Sequence, residues 1–218
     1  MAMDFWRQQD IVSSDELDVP IVVIGAGGIG SPTVLALAKM GCTQLTVYDD
    51  DLVESHNIPN QLFLLDDIGR PKVEALAHLV QGFTGTSIRT VQERVAGQRL
   101  QGIVISGVDT MSSRHDIWQR SIKYKPQVRL YVDARMGAEV CRIYSINPVD
   151  PDDVRLYEET LYTDEEATEE PCTARSIIYN VFGIAALIGN QVKKHAKGEE
   201  MAKEIIFDLK TLLLLTGP

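Results

Sequence analysis

A glycine-rich loop between an apolar run and a helix signal constrains this chain more than any other feature of its sequence. The run at residues 19–24 (VPIVVI) is continuous, which is typical of a strand buried on both faces. Pro32 then favours the first turn of a helix. The intervening loop, GAGGIG, follows the pattern G-x-G-x-x-G and holds Gly25, Gly27, Gly28 and Gly30. Such a loop lets backbone N–H groups approach a phosphate at the positive helix end, so it predicts a nucleotide site.

Strand and helix signals alternate after this loop, which predicts an α/β fold with a doubly wound, mostly parallel sheet. Further strands are expected near residues 45–48, 87–91, 102–108, 128–132, 139–146 and 205–215. Further helices are expected from residue 71 and over residues 113–125 and 176–194. The first half is then Rossmann-like and binds the nucleotide, and additional strands follow toward the C-terminus.

We expect a single domain over residues 1–218, with a polar N-terminal arm at residues 1–18. Residues 147–171 are rich in Asp and Glu and interrupt the alternation, which favours an exposed or mobile crossover segment.

Charge and composition exclude several classes of partner. The net charge of −10 argues against duplex nucleic acid and anionic membrane, because both need a positive face. The N-terminus lacks the apolar core of a signal peptide, and no apolar run approaches the roughly 20 residues of a membrane span. Three scattered cysteines are too few for a disulfide framework. We therefore expect a soluble, cytoplasmic protein.

Four further positions carry the chemistry that separates ATP use from hydride transfer. Asp49 follows the second strand, where an acid hydrogen-bonds ribose hydroxyls. Lys72 begins a helix, and Asp109 ends the strand at 102–108. Taken singly, Lys72 is equally a first-turn surface lysine and Asp109 equally a helix N-cap. Together, a cation and a carboxylate beside the phosphates favour attack on a phosphoryl group, which requires charge neutralisation. Asn57 lies in the long polar loop between them.

In this order the motifs resemble the ThiF/MoeB/HesA-type adenylyltransferases, relatives of ubiquitin-activating enzymes. The resemblance rests on the glycine loop and on DDDLVESHNIPNQ (residues 49–61), GRPK (69–72) and VDTMSSR (108–114). It implies an ATP- and Mg²⁺-dependent enzyme that adenylates the C-terminal carboxylate of a small ubiquitin-like or sulfur-carrier protein. It also implies a homodimer, in which Arg7 of the arm reaches the neighbouring subunit.

Residue roles follow from the resemblance by position. Lys72 is expected to hold the phosphates, Asp109 to coordinate Mg²⁺, and Asn57 to line the phosphate site. The implied nucleotide-binding residues are the loop glycines with Asp49, Asp51, Gln61, Arg70 and Lys72.

The chain departs from the family pattern in three places. Asn60 stands where an arginine is usual, so one positive charge near the triphosphate is missing, and Arg70 is a candidate replacement. Thr110 stands where asparagine is usual. The paired C-x-x-C motifs of many relatives are absent, so we expect no structural zinc.

Cys172 precedes the last helix, where relatives carry a cysteine that receives the activated partner or its sulfur. It is either such an acceptor or an unreactive thiol. Three other functions stay open: a non-catalytic dimerisation or scaffold subunit, an adenylating enzyme for a small molecule or a tRNA base, and a nicotinamide oxidoreductase.

Overall fold

The computed structural model describes residues 3–163 and 176–217 and contains one eight-stranded sheet in the order β3-β2-β1-β4-β5-β6-β7-β8. The strands are β1 (Ile21–Ile24), β2 (Leu45–Tyr48), β3 (Arg89–Val91), β4 (Gly102–Ser106), β5 (Val128–Gly137), β6 (Val140–Ile146), β7 (Glu204–Asp208) and β8 (Leu213–Gly217). Neighbouring strands in the first part of this order, β3-β2-β1-β4-β5, pair in parallel. Neighbouring strands in the second part, β5-β6-β7-β8, pair antiparallel. The predicted α/β class, with a parallel nucleotide-binding half and added C-terminal strands, is confirmed.

Among the described residues, five α-helices cover the two faces of this sheet. They are α1 (Gly30–Met40), α2 (Lys72–Thr84), α3 (Met111–Ile117), α4 (Pro151–Glu158) and α5 (Ile178–Lys197). The helices α1, α2 and α5 pack on one face, and α3 and α4 pack on the other. The predicted helix at 113–125 is shorter than expected, because a π-helical turn (Trp118–Ile122) follows α3.

Strand β1 lies at the centre and is buried on both sides, as its unbroken apolar run predicts. Ile21 and Val23 face the core beneath α1, whereas Val22 and Ile24 face the core beneath α3. Its carboxyl end therefore lies between the two helical layers, where the order of the sheet reverses.

Gly30 fixes how closely the first helix approaches the first strand. A Cβ atom at this position would lie 1.7 Å from the backbone oxygen of Gly25. Only glycine permits this contact, which brings the N-terminus of α1 over the end of β1.

Two sequence expectations are wrong in detail. Residues 205–215 form no single strand, because the β7–β8 hairpin turns within them; Asp208 accepts hydrogen bonds from the backbone of Lys210 and Thr211 there. The segment 147–171 is not wholly exposed, because part of it forms α4. Asp150 caps that helix by accepting from the Asp152 and Asp153 amides.

Helix α4 closes the second core with aromatic contacts. Tyr157 is fully buried, and its ring centroid lies 4.6 Å from that of Trp118, with the ring planes tilted by 57°. The Tyr157 ring also meets Tyr131 edge to face, with the centroids 5.5 Å apart. The Trp118 indole donates to Glu158, which joins the π-helical turn to the end of α4. The acidic composition of this segment did not predict a helix. Its few apolar residues are nevertheless spaced so that they face the sheet.

The N-terminal arm packs against its own domain. Leu17 is fully buried, and the Gln8 side chain donates to the Met40 carbonyl at the end of α1. Glu16 accepts from the Ser13 backbone and pairs with Lys197 of α5 at 3.0 Å. No helix among the described residues is long and apolar enough to cross a membrane.

We predict that Gly30→Ala lowers the free energy of unfolding by about 3 kcal/mol or more, because the added methyl group collides with backbone. Gly82→Ala is the matched control, since a Cβ atom at this position in the last turn of α2 would meet nothing within 4 Å. It should raise stability by up to about 1 kcal/mol. Urea unfolding measures both, and equal stability of the two variants would contradict the close approach.

A second prediction concerns acid. Hydrogen bonds from the Ser13 backbone and then Lys197 lower the pKa of Glu16 from 4.5 to about 2. Because the folded-state pKa is lowered, this stabilisation is present above about pH 4.5 and is lost as the pH falls toward 2. Glu16→Gln should therefore destabilise the protein at pH 7 and match wild type near pH 2, as measured by urea unfolding across pH. Asp15→Asn, one residue away, is the matched control and should change the free energy of unfolding at pH 7 by less than about 0.5 kcal/mol.

Candidate nucleotide site

A cavity of about 450 Å³ opens at the carboxyl ends of β1, β2 and β4. Its walls come from the glycine loop, from residues 48–51 after β2, from residues 93–96 after β3 and from the start of α3. Ligands of doubly wound sheets bind at this edge, where the strand order reverses. The described fold therefore assembles a cavity at the position that the glycine loop predicts.

Three consecutive acids after β2 point to three different elements around this cavity. Asp49 accepts from the Ala26 amide of the glycine loop at 2.6 Å. Asp50 pairs with Arg94 at 2.9 Å, and Asp51 pairs with Lys72 at 2.7 Å. The short acidic run thus joins the glycine loop, the loop after β3 and the start of α2.

Asp49, the predicted ribose acid, lies in the cavity wall directly after β2. Burial raises the pKa of its carboxyl, while the amides of Ala26 and Asp51 oppose that shift by donating to it. The carboxylate thus sits beside the backbone that would carry the phosphates. It is placed to accept hydrogen bonds from sugar hydroxyls.

Lys72 is buried, although it is the first residue of a helix. Its side chain is 9% exposed and its ammonium contacts Asp51, which is half exposed. An ammonium directed into a cavity at a helix start suits a phosphate ligand, and an entering anion would compete with Asp51 for it.

Asp109 lies in the cavity wall after β4, and its neighbour caps the helix. The Thr110 hydroxyl accepts from the Ser113 amide at 3.2 Å, so Thr110 is the N-cap of α3. Asp109 therefore does not serve as the cap. Carboxylate oxygens are ligands that Mg²⁺ prefers, and the donor chemistry at Asp109 fits that ion.

Two buried oxygens near the glycine loop have no hydrogen-bond partner among the described residues. They are Oδ1 of Asn60 and Oε1 of Gln61. Gln61 lines the cavity, and its Nε2 lies 3.8 Å from where a Cβ on Gly27 would be. Buried polar atoms are normally paired, so these two oxygens favour a ligand or water beside the loop.

Four of the predicted site residues that the structure describes do not line the cavity: Gly30, which begins α1, and Asn57, Arg70 and Arg7. Asn57 closes its own turn by accepting from the Glu54 amide at 2.8 Å. Arg70 pairs with Asp67 at 3.4 Å and lines a separate groove beside α2. Arg70 thus does not fill the place of the missing arginine within this chain. Arg7 lies exposed on the first turn of the arm.

Two of the three cysteines, Cys42 and Cys141, are buried. Burial raises the pKa of the Cys42 and Cys141 thiols to about 12, which keeps them protonated and unreactive at neutral pH. Cys172 falls outside the described residues.

Arg94 lines the cavity, although no pattern in the sequence predicted it as a site residue. It is the only arginine among the described residues of the cavity wall, and the hydrogen bond with Asp50 raises the pKa of its guanidinium. The local sequence around Arg94 is a weak indication of a role in the site, because an arginine in an irregular polar loop resembles any surface arginine.

A second omission is a buried charge network behind Asp109. Asp133 on β5 is fully buried and accepts from Arg114 at 3.2 Å and from Arg135 at 2.7 Å. Arg114 also donates to the carbonyls of Val108 and Ala134. The network therefore braces the backbone that presents Asp109.

Comparison with known proteins gives a family match over most of the chain. The model of the ThiF family matches residues 8–205. The SAMP-activating enzyme E1 of Haloferax volcanii is 38% identical over 98 residues, 44% of this chain and 36% of that protein. The sulfur carrier protein ThiS adenylyltransferase of Escherichia coli K12 is 34% identical over 109 residues, 46% of this chain and 43% of that protein. The matched regions are thus less than half of these curated relatives.

Solved structures share the fold. A crystal structure of E. coli MccB with ATP superposes with a TM-score of 0.71 at 17% identity, covering 93% of this chain and 64% of that one. A structure of PaaA gives a TM-score of 0.70 at 18% identity, covering 93% of this chain and 64% of that one.

The charge network generates a stability prediction. Asp133→Asn leaves two buried guanidinium groups without a counter-charge, so we expect the free energy of unfolding to fall by about 3–5 kcal/mol. Asp152→Asn removes an exposed pair with Arg155 and should change it by less than about 1 kcal/mol. Urea unfolding at pH 7 compares them, and similar small losses would show that Asp133 is not essential to the network.

Proposed function

The chain belongs to the ThiF family, and we propose that it is an ATP- and Mg²⁺-dependent adenylyltransferase. Its substrate would be the C-terminal carboxylate of a small ubiquitin-like or sulfur-carrier protein. The observation that carries the proposal is the grouping of Asp49, Lys72 and Asp109 around one cavity at the N-terminus of α1.

The chemistry requires charge compensation more than proton transfer. The attacking carboxylate is already ionised at pH 7, so no side chain need act as a general base. It must approach an anionic α-phosphate and expel pyrophosphate. The α1 N-terminus and Lys72 would stabilise the negative charge that develops there.

When bound, Mg²⁺ would supply the remaining positive charge, and we propose that Asp109 is its protein ligand. Asp49 would hold the ribose, and Asp51 would release Lys72 as the phosphates enter. Gln61 would form a hydrogen bond with the nucleotide beside the glycine loop through its side-chain amide, whose Oε1 has no partner among the described residues.

The named relatives support the substrate class. One is a SAMP-activating enzyme and another acts on the sulfur carrier ThiS, as their names state. A carrier protein with an extended C-terminal tail is therefore the substrate that we propose for this chain.

Several parts of the proposal rest on the family resemblance. A homodimer would let Arg7 act in the neighbouring site, where it would compensate for Asn60. Cys172 as an acceptor, a cytoplasmic location and the lack of structural zinc stay predictions.

A non-catalytic subunit is the second candidate, favoured by the charge of the cavity. The wall holds six carboxylates (Asp49, Asp50, Asp51, Glu93, Asp109 and Asp116) against two cations, Lys72 and Arg94. With Asn60 in place of arginine, the cavity needs added positive charge before it can hold a triphosphate.

ATP–pyrophosphate exchange in the presence of a carrier protein ending in Gly-Gly tests the proposal. We predict that Asp109→Asn lowers the exchange rate at least 100-fold, because one metal contact of the transition state is lost. Asp116→Asn is the matched control, since Asp116 also lines the cavity and has no assigned role; it should keep the rate within about threefold.

ATP binding without exchange, across several carrier proteins, would favour the non-catalytic subunit. Equal rates for wild type and Asp109→Asn would remove the metal role from Asp109.

A further inference from the structure

The Lys72 ammonium is tied to Asp51 by the backbone as well as by charge. The Lys72 amide donates to the Asp51 carbonyl at 2.9 Å, and its Nζ donates to the Asp51 carboxylate at 2.7 Å. The Val53 amide extends this ladder by donating to the Arg70 carbonyl at 2.8 Å. Val53 is 1% exposed and belongs to the core beneath α1. The segment after β2 is therefore anchored, and it holds the Asp51 carboxylate beside the ammonium.

The two partners of this ion pair differ in their access to solvent. The Lys72 side chain is buried, whereas the Asp51 side chain is 57% exposed. Both residues line the cavity, so an anion that enters can reach the ammonium there. Because the carboxylate has room to turn toward solvent and the ammonium has not, Asp51 is the partner that must yield to the anion.

The backbone keeps Asp51 close to any anion that binds Lys72. The Asp51 amide donates to one oxygen of Asp49 at 2.8 Å, and the other oxygen of Asp49 accepts from Ala26 of the glycine loop. These bonds do not involve the Asp51 side chain, so its backbone stays in place when the ion pair opens. A phosphate at Lys72 and the Asp51 carboxylate are then two anions beside one cation, and they repel each other.

A divalent cation on the ligand changes this balance. Mg²⁺ bound to a polyphosphate lowers the negative charge that faces Asp51, so the repulsion becomes weaker. A bare polyphosphate keeps its full charge beside the carboxylate that it displaces. The Asp51–Lys72 pair therefore opposes binding of the bare anion more than binding of its metal complex.

We propose that Asp51 is a specificity-determining residue, which competes with the ligand for Lys72 and so makes the cavity select metal-complexed polyphosphate over bare polyphosphate. This inference rests on the proposed function, because it needs a polyphosphate at Lys72. It gives Asp51 a role in selecting the form of the nucleotide, whereas Lys72 and the glycine loop hold it.

Calorimetric titration of the full chain with inorganic tripolyphosphate, first in EDTA and then with excess Mg²⁺ at the same ionic strength, tests the assignment. Asp51→Asn keeps the backbone bonds and a side-chain oxygen for Lys72 but removes the charge. It should tighten binding of bare tripolyphosphate about tenfold and binding of the Mg²⁺ complex by less than about threefold. Asp51→Glu keeps the charge and should retain the wild-type preference for the Mg²⁺ complex.

Asp116→Asn is the matched control, because it removes a carboxylate from the same cavity wall and leaves the Asp51–Lys72 pair intact. It should tighten binding of both forms by the same factor, less than about threefold, since it changes only the overall charge of the wall. The thermal midpoint of each variant without ligand should stay within a few degrees of wild type. Titration of wild type with ATP·Mg reports on the proposed function separately.

Four outcomes would overturn the inference. If Asp51→Asn weakens only the Mg²⁺ complex, Asp51 is a metal ligand, and if it weakens both forms, Asp51 has only a structural role. If it changes both forms as Asp116→Asn does while wild type binds ATP·Mg, Asp51 does not select between them and the proposed function stands. If wild type binds neither ATP·Mg nor tripolyphosphate, the proposed function fails and the selective role of Asp51 fails with it.

Discussion

The close contact between Gly30 and Gly25 is the constraint on which the site depends. It is a backbone-to-backbone approach that no side chain permits, and it places the positive end of α1 directly over the end of β1. Because β1 is buried on both faces, this end cannot shift without disturbing both cores. The site is thus built at the end of a strand that is buried on both faces, which suits precise alignment of reacting groups.

Hydrogen bonds and ion pairs connect the separate elements that form the cavity wall. The acids at 49–51 bind the glycine loop, Arg94 and Lys72, so a single turn after β2 couples three walls. On the far side, Asp133 and its two arginines brace the backbone before Asp109. Among the described residues of the cavity wall, carboxylates outnumber cations, which favours entry of a cation-bound anion over entry of the anion alone.

Patterns of local sequence predicted the parallel half and most of the site. The apolar run of β1, the glycine loop and Asp49 depend on neighbours along the chain, and the structure brings Asp49, Asp51, Gln61, Lys72 and Asp109 to one cavity. The C-terminal hairpin was missed, because an apolar strand and an apolar hairpin differ only in the turn. Helix α4 was not predicted, because its acidic residues are as many as the apolar residues that pack against the sheet, Val154, Leu156 and Tyr157.

The sequence by itself determined the chemical groups available to the protein: a glycine-rich loop, an acid after the second strand, a lysine and a further carboxylate in a fixed order along the chain. Only the tertiary structure decided which charges meet. Arg70 pairs away from the cavity and Arg94 borders it, although both lie in polar loops. Ion pairs form between residues far apart in sequence, and their geometry follows from the packing of whole strands and helices. No local pattern encodes that packing, so the buried partners of Asp133 became visible only in the folded chain.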